Sequence, residues 1–447
     1  MNFENLISFV GLFVMIGIGY LFSENKKKVD WRLVGSGVAL QFVFALIVLR
    51  TYPGKWFFSK VKEAVDVLLG FTAEGSTFIF GNLITDMNTF GYIFAFQVLP
   101  TIIFFSSFMS VLYHLGIMQK IVSIMAKVMT KTMKVSGAES LSCAANVFVG
   151  QTEAPLVVKP YINSMTKSEI MTLMTGGMAT VAGGVMAAFA GMGINAGHLL
   201  AASIMSAPAA IVMAKLMIPE TEKSKTCDGC EIKLEKTTVN VIDAAATGAS
   251  DGVALAINVA GMLLAFIALI AVINFIIMKA GLLFGLNLSL QVILSWIFAP
   301  LAWIMGVPSA EMYKVGQLLG VKTVINEFVG YADLAVMIKE GMSERAQVIA
   351  TYALCGFANF SSIAIQIGGI GSIAPNKKPL LAKLGIRSMI GGTLAAFMTA
   401  TIAGMLFTET PKAFDKDKEL QEFGKALQNQ NSITQQYTQK DILIGIN

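Results

Sequence analysis

The chain has 447 residues, of which 55% are hydrophobic and only 14% are charged, and its mean hydropathy is +0.69. A soluble domain of this length needs far more charge to cover its surface, so the composition excludes one and predicts an all-α membrane protein. The formal charge of +5 is explained by membrane orientation and does not favour nucleic-acid binding.

Long charge-free stretches mark the predicted membrane crossings, because about 20 apolar residues span a bilayer core. They are 5–23, 33–49, 87–113, 170–214, 253–278, 280–310, 346–376 and 388–408. The stretch 170–214 is long enough for two crossings, with a turn at Gly193-Ile-Asn195. We expect about eight transmembrane helices in total, with 280–310 either crossing the membrane or lying along its surface.

Basic residues in the connections predict the orientation of these helices. They are Lys26, Lys27, Lys28 and Arg32 after the first crossing, Lys120, Lys127, Lys131 and Lys134 after the third, and Lys377, Lys378, Lys383 and Arg387 before the last. All three groups lie on the cytoplasmic side if the N-terminus is outside, so we expect both termini outside a bacterial inner membrane. Segment 55–70 alternates apolar and charged residues and is predicted to lie on the membrane surface.

Two polar segments inside the apolar pattern resemble each other. Asn146-Val-Phe-Val-Gly-Gln-Thr-Glu153 shares four positions with Asn326-Glu-Phe-Val-Gly-Tyr-Ala-Asp333, and each segment ends in an acid. A second match pairs Gly177-Met-Ala-Thr180 with Gly356-Phe-Ala-Asn359. The two offsets, 180 residues from 146 to 326 and 179 residues from 177 to 356, indicate a duplicated unit.

Each unit is interpreted as a re-entrant helical hairpin followed by a spanning helix with a break. The hairpin arms, around 139–164 and 314–340, are too short to cross the membrane. Four glycines within Thr175–Gly184 and the run Gly356–Ser362 are poor helix formers, and unwound backbone at membrane depth can bind ions or ligands. The repeats are inverted if 280–310 lies along the surface; if it crosses, they are parallel.

Two acids in these segments favour a functional site. A carboxylate at the bilayer centre costs about 2.5–3.5 kcal/mol on insertion scales, so Glu153 and Glu327 each need a partner or a role. Two nearby charges have simpler interpretations: Asp333 as a cap of the second hairpin arm, and Lys322 as an exposed loop residue.

The cysteines and histidines favour no catalytic or metal site. Cys143 and Cys355 lie in apolar stretches and are predicted to be packing residues. Cys227 and Cys230 lie in a polar loop without the further ligands that zinc needs, so we interpret them as ordinary loop residues. His114 and His198 lie near predicted membrane edges, and a proton-relay role for either is the less favoured interpretation.

At these residues the chain resembles the concentrative nucleoside transporters. The segment Gly150-Gln-Thr-Glu-Ala-Pro-Leu156 is similar to the family's first-hairpin motif, and Asn326-Glu-Phe-Val329 and Gly356-Phe-Ala-Asn-Phe-Ser-Ser362 are similar to its second-hairpin and seventh-helix motifs. The resemblance extends from about residue 90 to 408. It implies a homotrimer that imports nucleosides by sodium symport through an elevator mechanism, with sodium as the coupling ion and no cofactor.

The resemblance also implies the site residues. Gln151, Thr152 and Glu153 would bind the nucleobase with Val185 nearby, and Glu327, Asn359 and Ser362 would bind the ribose hydroxyls with Phe357 in the same pocket. Sodium would bind Asn146, Thr180 and the carbonyl oxygens of Val149 and Val181. Proton coupling through Glu153 or Glu327 remains an alternative.

The predicted organisation has five parts. They are N-terminal scaffold helices with the interfacial helix (1–115), a first transport repeat (116–218), a cytoplasmic loop with a scaffold helix and a surface helix (219–310), a second transport repeat (311–408) and a polar tail (409–447). The hairpins also fit an ion channel or pore, but the fused inverted repeat favours a carrier. A membrane enzyme with Glu153 and Glu327 as an acid–base pair is less favoured, because the sequence offers no nucleophile, no histidine at membrane depth and no metal cluster.

Overall fold

A computed structural model describes residues 3–225, 238–286 and 288–408, and this part of the chain is helical without β-strands. The prediction of an all-α fold is therefore confirmed. The interpretations of Cys227, Cys230 and the tail 409–447 fall outside the described residues.

The helices follow the predicted order. The N-terminal part contains α1 (Phe3–Leu21), α2 (Trp31–Arg50), α3 (Tyr52–Phe80), α4 (Asn82–Thr85), α5 (Met87–Phe90), α6 (Phe94–Gln97) and α7 (Leu99–His114). The segment predicted as the first repeat contains α8 (Ile117–Met133), α9 (Gly137–Asn146), α10 (Ala154–Val157), α11 (Lys159–Ile162), α12 (Lys167–Ala179), α13 (Gly183–Gly191) and α14 (Ala196–Met217). Next come α15 (Val241–Leu282) and α16 (Leu290–Ile304). The second repeat contains α17 (Met312–Val324), α18 (Glu327–Lys339), α19 (Glu344–Leu354), α20 (Phe360–Ile373) and α21 (Lys378–Leu406).

Seven segments of the described chain are long and apolar enough to cross a membrane: 3–21, 31–50, 94–114, 167–191, 196–217, 241–282 and 375–406. The stretch predicted at 346–376 is divided into α19 and α20, each too short to span alone. Counting this broken pair as one crossing gives the predicted total of about eight. Helix α16 has 15 residues, or about 22 Å, so it favours the surface interpretation of 280–310 and the inverted repeat.

Both spanning helices with a predicted break are interrupted. The first broken helix consists of α12 and α13, separated by residues 180–182, and the second of α19 and α20, separated by residues 355–359. Gly356 has φ +116°, a left-handed conformation that glycine adopts without a steric cost. The predicted turn at Gly193 is also present, with φ +100°, and Asn195 then caps α14 by accepting hydrogen bonds from two backbone amides.

The N-terminal helices, predicted as a scaffold, do not pack separately from the two repeats. Helix α1 packs against α21, and α2 packs against α14, so both contact helices of the two repeats. Helix α7 packs mainly against α15, which is otherwise largely exposed. The interfacial helix α3 begins at Tyr52 and ends at Phe80, which makes it longer than the predicted 55–70. Its exposed Trp56 side chain fits a position at the membrane surface.

Candidate functional site

The two hairpin tips differ in length. In the first hairpin α9 ends at Asn146 and α10 begins at Ala154, so the tip covers residues 147–153. In the second hairpin α17 ends at Val324 and α18 begins at Glu327, so the tip covers only residues 325–326. The predicted ligands lie in these tips, in the breaks of the two broken helices, or in the first or last turn of the helices that flank them.

A chain of buried hydrogen bonds joins the first hairpin to the second. Gln151 Nε2 donates to Ser362 Oγ at 3.1 Å, and the Ser362 amide donates to Asn359 Oδ1 at 2.9 Å. Asn359 Nδ2 then donates to Glu327 Oε2 at 2.8 Å. The structure thus brings together four predicted substrate ligands from three different segments, and all four are buried.

Gln366 belongs to the same network and was missed in the sequence. Its Nε2 donates to Gln151 Oε1 at 3.1 Å and to the Met174 carbonyl at 3.0 Å, so it contacts both the first hairpin and the first broken helix. The side chain is fully buried, and its Oε1 accepts no hydrogen bond from the described residues. The available signal was an amide in a charge-free stretch, one helical turn after Ser362 and hence on the same face of α20.

The acids of the two hairpins have different environments. Glu327 is 5% exposed, as expected for an acid buried among partners. Glu153 is exposed, and its Oε1 accepts a hydrogen bond from Thr152 Oγ1 at 3.1 Å. The expectation that both acids are buried is therefore wrong for Glu153, because it lies at the end of the longer tip with its carboxylate open.

The remaining predicted substrate residues lie in the first hairpin tip, in α13 and in the second break. Thr152 packs against α20, where a Cβ built on Gly369 would lie 2.9 Å from Thr152 Cγ2. Val185 is buried in the first turns of α13, and the partly buried Phe357 lies in the second break beside Gly356. Both side chains pack with the main hydrophobic core.

The predicted sodium ligands lie where the first hairpin meets the first broken helix. Asn146 Nδ2 donates to the Ser142 carbonyl at 3.0 Å, and Thr180 Oγ1 donates to the Gly176 carbonyl at 2.9 Å. A Cβ built on Gly176 would lie 3.5 Å from Asn146 Nδ2, so Asn146 and Thr180 both flank this glycine. The tip is also tied to the break, since the Gly183 amide donates to the Phe148 carbonyl at 2.9 Å.

The chemistry of this place suits a hard cation. Asn146 is 1% exposed, and its Oδ1 accepts no hydrogen bond from the described part of the chain. A buried polar oxygen without a donor is costly and is satisfied when it binds a cation. Val181 is fully buried and Val149 is partly buried, and backbone carbonyl oxygens such as theirs are donors that a hard cation prefers.

Lys322 and Asp333 differ from their simpler interpretations. Lys322 is fully buried in α17 and donates to the carbonyl oxygens of Ala353 at 2.9 Å and Cys355 at 3.4 Å, so its assignment to an exposed loop is wrong. Asp333 lies inside α18, whose N-cap is Asn326, so a capping role for Asp333 is also wrong. Cys143 and Cys355 are buried free cysteines, as predicted.

The two histidines lie on different helices, His114 at the end of α7 and His198 in the first turn of α14. His114 Nδ1 is 2.7 Å from Thr238 Oγ1, and His198 Nδ1 is 3.5 Å from the Tyr352 hydroxyl. A proton-relay role for either residue stays a less favoured prediction.

Comparison with known proteins gives one consistent family. Residues 10–83 and 198–404 match the N-terminal and C-terminal models described as Na+ dependent nucleoside transporter, and residues 95–196 match a model described as nucleoside recognition. The chain is 47% identical over 406 residues to an uncharacterized transporter of Haemophilus influenzae, covering 90% of this chain and 97% of that protein.

Animal relatives and solved structures agree with this match. The rat sodium/nucleoside cotransporter 2 is 41% identical over 430 residues, covering 93% of this chain but only 64% of its own length. CNTnw in an inward-facing substrate-bound state is 42% identical, with a TM-score of 0.85, 90% of this chain covered and 98% of that one. An outward-facing variant of CNTnw gives a TM-score of 0.87 with the same coverage.

Proposed function

The chain belongs to the sodium-dependent nucleoside transporter family, and from this premise we propose that it imports nucleosides by symport with sodium. The family resemblance and the all-α elevator fold inferred from the sequence are thereby confirmed, and the family consists of transporters and not of enzymes. The chain spans 64% of the length of the rat cotransporter and 97% of the length of the Haemophilus influenzae transporter.

The hydrogen-bond chain from Gln151 to Glu327 is the observation that carries this proposal. A nucleoside has a base edge with donors and acceptors and a ribose with two neighbouring hydroxyls. Gln151, Thr152 and Glu153 offer an amide, a hydroxyl and a carboxylate to the base, while Glu327, Asn359 and Ser362 offer acceptors and donors to the ribose. Val185 and Phe357 supply apolar contact to the same molecule.

Sodium is proposed to bind between the first hairpin and the first broken helix. Asn146 Oδ1, which has no hydrogen-bond partner among the described residues, supports this assignment, together with Thr180 Oγ1 and the carbonyl oxygens of Val149 and Val181. Because this site adjoins the tip that carries Gln151, bound sodium would hold the tip in the form that binds nucleoside.

The assembly and orientation are also proposals. The exposed apolar surface of α15 supports a homotrimer in a bacterial inner membrane, and the basic loop Lys26–Lys28 supports cytoplasmic placement of the α1–α2 connection, with both termini outside. The transport repeats 116–218 and 311–408 would move together relative to α7 and α15, which pack against each other.

The decisive experiment is uptake of labelled uridine and adenosine into proteoliposomes, with an inward sodium gradient or with choline in its place. We expect saturable uptake that depends on sodium. Equal uptake driven by a proton gradient without sodium would show that the proton is the coupling ion. Conductance without saturation would show that the protein is a pore and not a carrier. Absence of gradient-driven uptake for any nucleoside would end the proposal.

The sodium assignment has its own variant. Asn146→Ala removes the free amide oxygen, and we expect the half-saturating sodium concentration to rise about tenfold or more, equivalent to about 1.4 kcal/mol. The exposed Asn88→Ala is the matched control and should leave sodium dependence unchanged. Equal sodium dependence in the two variants would remove Asn146 from the site.

A further inference from the structure

Gln366 is a buried amide that joins the first hairpin tip to the first broken helix, and the transport scheme above gives it no role. Its side chain is fully buried on α20, one helical turn after Ser362. The two hydrogens of its amide nitrogen have two acceptors, the Met174 carbonyl oxygen at 3.0 Å and Gln151 Oε1 at 3.1 Å. Gln366 therefore connects a backbone carbonyl of α12 to a proposed ligand of the nucleobase.

The Met174 carbonyl determines which way the Gln366 amide points. A carbonyl oxygen only accepts hydrogen bonds, so it requires the nitrogen of Gln366 and not the oxygen. Turning the amide over would bring two oxygens together without a hydrogen between them. The Gln366 nitrogen therefore also faces Gln151, which must present its Oε1. This orientation is kept although Gln366 Oε1 then accepts no hydrogen bond from the described residues.

The same polarity continues to the other end of the Gln151 amide. With Oε1 directed at Gln366, the Gln151 nitrogen lies on the side of Ser362 and donates one hydrogen to Ser362 Oγ at 3.1 Å. An amide nitrogen carries two hydrogens, so a second donor is available to a ligand beside Ser362. Gln151 thus offers the site a hydrogen-bond donor and directs its acceptor to Gln366.

Gly177 allows both amides to pack against α12. A Cβ built on this glycine would lie 2.7 Å from Gln366 Nε2 and 2.9 Å from Gln151 Cβ. Because both distances are too short for a real side chain, any larger residue would displace Gln366 and Gln151 together. This glycine is therefore a second, independent part of the arrangement that orients Gln151.

We infer that Gln366 is a positioning residue that fixes the polarity of Gln151, so that the site selects nucleosides with a hydrogen-bond acceptor on the base. This assignment rests on the proposed nucleoside symport and adds a specificity to it. A base without that acceptor would leave the buried Gln151 donor unpaired, which weakens binding. The Asn359 and Glu327 side chains bond to each other without Gln366, so recognition of the ribose should not depend on it.

The test is competition for the uptake of labelled uridine by proteoliposomes with a sodium gradient. One series compares uridine with 2-thiouridine and 4-thiouridine, and another compares adenosine with its 1-, 3- and 7-deaza analogues. Each analogue weakens or removes one acceptor of the base. We expect the wild type to bind at least one of them about tenfold more weakly than its parent, the effect of one lost hydrogen bond. 3′-Deoxyuridine is the probe of ribose recognition.

Two variants and a matched control are compared in this assay. Gln366→Met keeps the length of the side chain but removes its donor, so the Gln151 amide can turn over. We expect discrimination against that analogue to fall below about threefold, with discrimination against 3′-deoxyuridine unchanged. Gly177→Ala should also reduce base discrimination, because it displaces both amides. Gln41→Met is the control and should keep both ratios, since Gln41 in α2 is likewise fully buried with an Oε1 that has no partner among the described residues.

The outcomes separate this inference from the proposed function. If the wild type shows no saturable nucleoside uptake, the proposed function fails and the inference fails with it. If the wild type transports uridine but discriminates against no base analogue, or if Gln366→Met keeps the wild-type discrimination, only the inference is wrong. Equal loss of base and ribose discrimination in Gln366→Met would make Gln366 a packing residue and would also contradict the inference. If Gln366→Met does not fold, unchanged base discrimination in Gly177→Ala overturns the inference.

Discussion

The two hairpins begin from the same asparagine motif, yet they use it for different purposes. Asn146 is the last residue of α9, at the start of a tip that covers residues 147–153, and its Oδ1 accepts no hydrogen bond from the residues that the structure describes. Asn326 is the N-cap of α18, and its Oδ1 accepts the Val329 amide at 3.0 Å. The length of the tip decides the difference: the long tip exposes side chains for binding an ion, whereas the short tip uses its asparagine to start the next helix.

Glu153 and Glu327 show the same contrast between the two hairpins, and substituting them is expected to give the largest effect on transport. Glu327→Gln removes a buried carboxylate that can accept two hydrogen bonds from a ribose, and we expect uptake (kcat/KM) to fall about 100-fold or more. Glu153→Gln, at the exposed acid, should have a smaller effect. Both are measured as initial uptake of uridine in proteoliposomes, with the oligomer size checked by gel filtration.

The exposed Glu340→Gln, at the end of the same helix α18, is the control for a change of charge alone. Near-normal transport by Glu327→Gln would remove Glu327 from the ribose site. A larger loss from Glu153→Gln than from Glu327→Gln would reverse the contrast between the two hairpins.

The two breaks give the second test. The first break passes through Thr180 with φ −126°, but the second requires Gly356 at φ +116°. A Cβ on Gly356 would also lie 2.5 Å from the Met178 carbonyl oxygen. We expect Gly356→Ala to destabilise the protein by about 1–3 kcal/mol, seen as a lower Tm in detergent.

Gly368→Ala is the matched control, because this helical glycine of α20 has nothing within 4 Å of an added Cβ. It should leave Tm unchanged or raise it slightly, since alanine favours a helix over glycine by about 0.5–1 kcal/mol. Equal melting of the two variants would mean that the second break tolerates a side chain.

The smallest expected effect on stability comes from the polar contacts at the starts of the two broken helices. At the start of α12, Glu24 accepts hydrogen bonds from Lys167 at 2.6 Å and from Arg387 at 3.3 Å. At the start of the second broken helix, the N-cap residue Ser343 donates its backbone amide to Glu311 at 2.9 Å. The Lys167 hydrogen bond, with the charges of Lys167 and Arg387, lowers the pKa of Glu24 below its ordinary value of 4.5.

The lowered pKa means that Glu24 stabilises the fold above about pH 4.5 and that this contribution is lost as the pH falls through the folded-state value. Because the pair is partly exposed, we expect Glu24→Gln to cost under about 1 kcal/mol at pH 7 and nothing below the folded-state pKa. Thermal unfolding across pH measures this, with the exposed Glu74→Gln as control. A penalty for Glu24→Gln that persists unchanged at acid pH would contradict the ion-pair explanation.

The sequence was most informative where the backbone is unusual. The glycines of Thr175–Gly184 and of Gly356 marked both breaks, because poor helix formers act locally. The sequence was least informative about how deeply each side chain is buried and which way it points. A charge-free segment does not distinguish a side chain that faces lipid from one that faces the site, so Gln366 was missed. The same limit explains the wrong expectations for Lys322 and for the burial of Glu153.

The cross-links between the repeats restrict how a solute can reach the site. Gln151 bonds to Ser362, Gln366 reaches the Met174 carbonyl, and Gly356 lies against the end of α12, so the two repeats are joined at three separate points. Separating the two repeats would break all of these contacts at once. A nucleoside can therefore enter or leave only if a hairpin moves aside or if the two repeats move together as one rigid body. We do not expect nucleoside to pass between the two repeats.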